Sequence, residues 1–410
     1  MSLDHRCEET AAIRTHIGAI FVSLELSRSK WLVTSLSPGA GEKMSKHVVK
    51  ADDVFGLLAR FEELNRKALA RTGSRYRIVV IQEAGLDGFW IHRVLEREGC
   101  ESHVVDAASI AAPRRRRRVK TDRIDGEALV RVLMAYKRGE PRVCSIVRPP
   151  TPEAEDERRI CRERSALIEE RVRHVNRIKG LLFAQGIGDY EPLRRNRRKQ
   201  LQELRTGDGR PLGPHLKAQI ERELDRLELL LKQIEAVEAA RDAMLGLVAQ
   251  SPAKSKIAIQ VEVEAEAGAP PTAPSRAAML MNYRGIASEV AVSLWTEGLS
   301  RSFANRRQAG SYVGLAPTPW QSGTVSHEQG VSKAGNPRLR TKMLQLAWLW
   351  LRHQPQSALT RWYYQRLPGM VGKAAKKRLI VALARKLFIA LWKYVSAGVI
   401  IEGAVMKSAA

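Results

Sequence analysis

Residues 77–82 read RIVVIQ, and Glu83 follows directly. A short run of β-branched residues that is apolar on both sides suits a strand covered on both faces. A carboxylate at the end of such a strand is a less ordinary feature. Upstream, residues 16–49 are strand-like: Ile17 to Leu26 mixes β-branched and apolar residues, and Trp31 to Leu36 follows a short polar turn. Between these strands and residue 77, Val54, Leu57, Leu58, Phe61, Leu64 and Leu69 recur at helical spacing. Downstream, Gly88 to Glu98 reads as a helix and His103 to Val105 as a strand. Thr121 can then cap a helix over Asp122 to Tyr136. Strands alternating with helices predict an α/β domain over residues 12–150.

The pattern changes beyond residue 150. Glu153 to Gln185 is charge-rich and helical, with Ile160, Leu167, Ile168, Val172, Val175, Ile178 and Leu182 in one stripe. After a basic loop, Ile220, Leu224, Leu227, Leu231 and Ile234 step by four and three, the seam of a coiled coil. Residues 151–250 therefore read as a helical coiled-coil region, either two antiparallel helices or a dimerising stalk. Residues 251–278 are Ala/Pro-rich and aperiodic, a linker or insertion. Residues 279–404 form a mainly α unit in which helical patterns flank a glycine-rich polar loop. Trp348, Trp350 and Trp392 sit among apolar residues at helical spacing and read as core.

The 410 residues carry 69 Lys and Arg against 44 Asp and Glu, a formal charge of +25. That excess calls for a polyanionic partner, nucleic acid before acidic lipid. Met1 to Arg14 lacks the apolar core of a signal peptide, and Arg385 and Lys386 interrupt the most apolar stretch, so no membrane partner is expected. Cys7, Cys100, Cys144 and Cys161 form no CxxC pair, which disfavours zinc and a disulfide framework and suits a reducing cytoplasm.

Four acids carry the chemistry. Glu25 sits near the end of the first strand and Glu83 ends the apolar one. Asp122 and Asp125 are three apart and share a helical face. Converging at one sheet edge, such a cluster requires a cation, and oxygen-only ligands select Mg²⁺ or Mn²⁺. A two-metal carboxylate site acts on phosphodiesters. From residues alone, Asp122 and Asp125 serve equally as acids complementing a helix dipole. From residues alone Ser322 reads as a turn residue after Pro317 and Pro319, and the run Arg114, Arg115, Arg116, Arg117, Arg118 and Lys120 suits a solvated segment as well as nucleic acid. Arg171, Arg173, His174, Arg177 and Lys179 form a basic ridge able to hold a phosphate backbone.

Several segments together resemble the DEDD-type transposases of the insertion-sequence "one-ten" family. They are IQEAGLDGFWIHR (residues 81–93), RRRRRVKTDRIDGEALVR (114–131), RERSALIEERVRHVNRIKGLL (162–182), SFANRRQAGSYVGLAPTPWQSG (302–323) and EQGVSKAGNPRLR (328–340). The resemblance implies a RuvC-like RNase H domain whose metal ligands are Glu25, Glu83, Asp122 and Asp125, followed by a C-terminal transposase domain with Ser322 as nucleophile. The first acid is usually Asp in that family and is Glu25 here. The resemblance further implies donor and target DNA, a structured guide RNA, and a homo-oligomer, dimer or tetramer. Arg306, Arg307, Lys333, Arg338 and Arg340 surround Ser322 in sequence and could hold phosphates. Two other readings stay open: a RuvC-like endonuclease using metal-activated water, and a silent nucleic-acid binder, motivated by Glu25.

Overall fold

Alternation within the first strand decides how the N-terminal sheet is covered. In this computed structural model, β1 (Ile20–Leu26) sends Ile20, Val22 and Leu24 to one face and Phe21, Ser23 and Glu25 to the other. The structure describes residues 18–41, 43–85, 88–110, 122–141, 143–245, 276–322, 325–332, 335–368 and 372–407. The chain divides into two units, Met1–Pro150 and Thr151–Ala410.

In the first unit, β2 (Lys30–Leu36) and β3 (Ser45–Lys50) continue from β1 as an antiparallel meander. The helix α1 (Val54–Thr72) follows, with Asp53 Oδ1 accepting from Gly56 N at 2.8 Å and Gly73 ending it at φ 72°. Then come β4 (Ile78–Glu83), α2 (Trp90–Arg97), β5 (Glu101–Val105), α3 (Asp122–Lys137) and the short β6 (Ile146–Val147). The sheet order is β3-β2-β1-β4-β5-β6; β1, β4 and β5 run parallel, and the remaining pairs are antiparallel. Leu57, Phe61 and Leu64 of α1, with Ile91 and Leu95 of α2, cover one face. Leu129, Val130 and Leu133 of α3 cover the other. The strand at residues 45–50 extends a stretch that the sequence divides into only two strands.

In the second unit, α4 (Pro152–Phe183) starts from Thr151, whose Oγ1 accepts from Ala154 N at 3.2 Å, with Pro152 in the first turn. After α5 (Arg197–Glu203), α6 (Pro214–Met244) returns antiparallel to α4. Ile178 and Leu182 of α4 pack with Ile220, Leu224 and Leu227 of α6. The heptad seam is therefore filled by a helix of the same chain, so of the two sequence readings it is the antiparallel pair that occupies it. The seam itself does not call for a second copy.

The C-terminal portion runs α7 (Arg276–Leu280), α8 (Ser288–Leu294), a π-helical turn at Trp295–Leu299, and α9 (Arg306–Tyr312). A hairpin of β7 (Pro317–Ser322) and β8 (Val325–Val331) follows, then α10 (Pro337–His353), α11 (Ala358–Arg366) and α12 (Lys373–Ala397). The glycine-rich loop expected from sequence is thus largely a β-hairpin. Leu339, Met343, Leu346 and Trp350 of α10 interlock with Leu383, Leu387, Phe388 and Leu391 of α12. Of the three tryptophans expected in the core, Trp350 is 1% exposed and Trp392 half-buried, but Trp348 is 53% exposed. Its position on α10 faces away from the stripe defined by Leu339, Met343 and Trp350.

Candidate active site

The parallel register of β1 and β4 pairs Phe21 with Val79, Ser23 with Ile81 and Leu24 with Gln82. One step further along both strands stand Glu25 and Glu83, at the same level on adjacent strands about 4.8 Å apart. Counting in twos from Phe21 and from Val79 puts both on the face that α3 covers. Glu25 is half-buried, with its Oε1 buried, and Glu83 is exposed. Two carboxylates at the carboxyl ends of adjacent parallel strands gather negative charge at one sheet edge.

The third element of the site is the start of α3. Ser23 Oγ donates to the carbonyl of Gly126 at 2.9 Å, tying that turn to β1. A β-carbon built on Gly126 would lie 2.7 Å from Glu25 Oε1 and 2.5 Å from Thr34 Oγ1. Asp125 adjoins this glycine and Asp122 lies one turn before it, on the stripe that continues to Leu129 and Leu133. The backbone thus sets Glu25 beside Glu83 and the start of α3 against Glu25; the side chains of Asp122 and Asp125 lie outside the described residues. Among the described residues no group of three or more His, Cys, Asp and Glu forms a metal cage. The donor set fits a hard cation, being oxygen throughout. Thr34 Oγ1, buried in the same corner with no hydrogen-bond partner among the described residues, adds another oxygen.

Ser322 is the last residue of β7 and pairs with Val325 across the hairpin. Its side chain, and the turn at 323–324, lie outside the described residues, as do the basic run Arg114 to Lys120 and Lys333. The base of the hairpin is firmly built. Ser332 N donates to Ala316 O at 2.7 Å and Asn336 N to Tyr312 O at 2.8 Å. Gly335, at φ 112°, approaches Tyr312 so closely that a β-carbon would meet its carbonyl oxygen at 2.4 Å. Asn336 caps α10, its side chain accepting from Arg338 N and Leu339 N.

Beneath the hairpin lies a polar network that the sequence reading passed over. Asn336 Nδ2 donates to Glu297 Oε2 at 2.7 Å, and Tyr312 OH donates to the Glu297 carbonyl at 2.9 Å. Arg162 of α4 forks onto the same carboxylate, at 2.9 and 3.2 Å. Burial pushes the Glu297 carboxyl up, but the hydrogen bonds from Arg162 and Asn336 outweigh it and hold the group below the ordinary glutamate value. Arg158, itself buried, donates to Thr296 O at 2.8 Å. Nothing in the sequence singles out Glu297, because neither its burial nor the π-helical turn that carries it has a local sequence signature.

The expected phosphate contacts separate into two groups. On α4, Arg177 Nη1 reaches Glu223 Oε1 at 3.0 Å, His174 Nδ1 lies 2.5 Å from Glu223 Oε2, and Lys179 reaches Glu191 at 2.6 Å. Arg173 pairs with Glu170 at 3.5 Å. Much of that ridge is neutralised by acids of the same unit. Around the hairpin the balance differs. Residues 298–410 hold 18 Lys and Arg against two acids, Glu328 and Glu402, so most of the net charge lies here. Arg306, Arg307 and Arg338 are exposed and Arg340 is half-buried. Arg385 of α12 lies against α9, its Nε 2.8 Å from a β-carbon position on Gly310. Arg366 and Lys386 each sit 4.8 Å from the Trp362 ring centroid, two like charges held beside one indole.

An acid-edged mixed sheet in one unit and a strongly basic helical unit in the same chain define a protein that handles nucleic acid. Comparison with known proteins makes the class specific. A family profile described as "Transposase IS116/IS110/IS902 family" matches residues 277–363, and a DEDD-type IS110 transposase profile matches 36–184. The chain is 66% identical over 408 residues, spanning 100% of both chains, to the Sinorhizobium fredii (strain NBRC 101917 / NGR234) protein named "Putative transposase y4rJ". It is also 35% identical over 81 residues, 20% of each chain, to that organism's "Putative transposase y4qE". The chain belongs to the IS110 family of transposases, enzymes that act on DNA. The matched segments contain Glu83, Asp122, Asp125 and Ser322, whereas Glu25 precedes them. Among the described residues, no helix is long and apolar enough to cross a membrane.

Proposed function

We propose that this transposase cuts and rejoins DNA strands by a serine route, with a RuvC-like RNase H unit holding Mg²⁺ or Mn²⁺ through Glu25, Glu83, Asp122 and Asp125. The observation that carries this reading is the register of Glu25 against Glu83 at the carboxyl edge of β1 and β4, with the start of α3 pressed against the same corner. Central parallel strands ending in acids, under an acid-bearing helix, support the RuvC-like assignment. A divalent ion bound there supplies charge neutralisation for a phosphodiester. The carboxylates hold and orient it, and Ser23, through Gly126, fixes the helix that bears two of them.

Ser322 is the nucleophile in this reading. Its Oγ attacks phosphorus, forming an Oγ–P bond as the P–O bond to the leaving sugar oxygen breaks. The serine proton passes to solvent and the leaving oxygen takes up a proton. Arg306, Arg307, Arg338 and Arg340, with Lys333, hold phosphates on either side of the scissile bond. A structured guide RNA and assembly into a dimer or tetramer complete the proposal. The family resemblance suggests both, and the charge of +25 supports a nucleic-acid partner.

The test is a denaturing gel of the full chain incubated with donor and target DNA, guide RNA and Mg²⁺. A protein–DNA adduct is expected in the natural chain and absent in Ser322→Ala, which still binds DNA. Cut DNA with no adduct in the natural chain would replace the serine route with attack by water. Binding without any cutting would leave a silent binder.

A further inference from the structure

A glycine in the second turn of a helix is costly, about 1 kcal/mol less favourable than alanine, so Gly126 requires a reason. Its backbone is that of an ordinary helix, so conformation does not supply one. The space above it does. The position its β-carbon would take is 2.7 Å from Glu25 Oε1, well inside van der Waals contact, and 2.5 Å from Thr34 Oγ1. Thr34 pairs with Ser23 on the neighbouring strand, and Ser23 Oγ holds the Gly126 carbonyl at 2.9 Å. The strand therefore clamps the helix at the point where the helix lacks a side chain.

We propose that Gly126 is a positioning residue for the first acid: its missing side chain is the room in which the Glu25 carboxylate lies. This chain uses an acid with two methylenes at position 25, and that reach carries the carboxylate oxygen across the sheet face onto the helix surface. Any side chain at 126 would displace the oxygen from its place against the start of α3. The two positions are coupled: glutamate at 25 requires glycine at 126, and a shorter aspartate releases the share of that requirement that Thr34 Oγ1 does not impose. The ligand half of this statement rests on the metal reading proposed above; the packing half does not.

The two halves are separated by measuring four full-length proteins, all carrying Thr34→Ala so that the second contact is absent: Thr34→Ala alone, with Gly126→Ala, with Glu25→Asp, and with both. In EDTA, Gly126→Ala lowers the melting temperature by about 3–9 °C, the cost of overpacking. Adding Glu25→Asp restores most of the loss. With Mn²⁺ followed by its electron paramagnetic resonance, Gly126→Ala weakens binding by about tenfold or more, and the paired change recovers it. Melting shifts that simply add, with no recovery, would overturn the packing claim. Recovery of melting with Mn²⁺ affinity identical in all four would overturn Glu25 as a ligand that Gly126 positions.

Discussion

Arg162 on α4 grips Glu297 with two hydrogen bonds, 2.9 and 3.2 Å, and so joins the long helical pair to the base of the serine hairpin. Glu297 is 5% exposed and Arg162 46%, so the carboxylate depends on its partner far more than the guanidinium does. Arg162→Ala leaves a buried anion with Asn336 as its one side-chain hydrogen-bond donor among the described residues and only the charge of Arg158 nearby, and a loss of about 3 kcal/mol in urea unfolding is expected. Replacing both partners with apolar residues of similar size costs less than the single change. A single change no worse than the pair would contradict this account.

The same carboxylate gives the fold an acid limit. Its native pKa is below the unfolded value of 4.5, so its contribution to stability is complete above about pH 5. That contribution is lost as pH falls through the lower native value. Urea midpoints of the natural chain should therefore fall on acidification below pH 4.5 more steeply than those of Glu297→Gln. Parallel curves would show that Glu297 is not the group responsible.

The two basic surfaces should behave differently. Arg306 and Arg307 are exposed in the segment with almost no acids, whereas Arg177 is engaged by the buried Glu223. Arg306→Ala and Arg307→Ala should each reduce the slope of log affinity against log salt for duplex DNA by about 0.9. Arg366→Gln with Lys386→Gln should reduce it by about 1.8. Arg177→Ala should leave the slope unchanged and lower stability by about 1 kcal/mol. Anisotropy titrations over a salt series, paired with urea melts, check all three.

Gly335 reports on the hairpin. A methyl group there would press 2.4 Å onto the Tyr312 carbonyl at a φ of 112° that alanine avoids. Gly335→Ala should therefore dislodge the hairpin base and abolish the DNA adduct while α10 and α12 keep their packing. Unchanged adduct formation would show that the hairpin's seating does not matter to Ser322.

What sequence could and could not reveal follows from the range of the interactions. β4 was legible because an apolar run followed by Glu83 is a local pattern, and α1 because its apolar residues recur at a fixed period. The pairing of Glu25 with Glu83 was not local: nothing along the chain reports that β1 and β4 are neighbours in parallel register. Gly126 carries no local sign of its role, because Glu25 and Thr34, which crowd it, come from strands far away in sequence. Lys179 and Arg177 looked available because their acids, Glu191 and Glu223, arrive from 12 and 46 residues away. Ser322 looked like a loop residue because Pro317 and Pro319 disguise an edge strand.

The most direct test is divalent-ion binding by the full chain, titrated with Mn²⁺ in the natural protein, Glu25→Gln, Glu83→Gln and the chain carrying both changes. Carboxylates from adjacent strands that share an ion should each matter, so either change should weaken binding by about tenfold or more, and both together should cost less than the two losses added. Equal affinity in all the proteins would mean that the acids at the ends of β1 and β4 hold no metal, and the nuclease reading would fall with them.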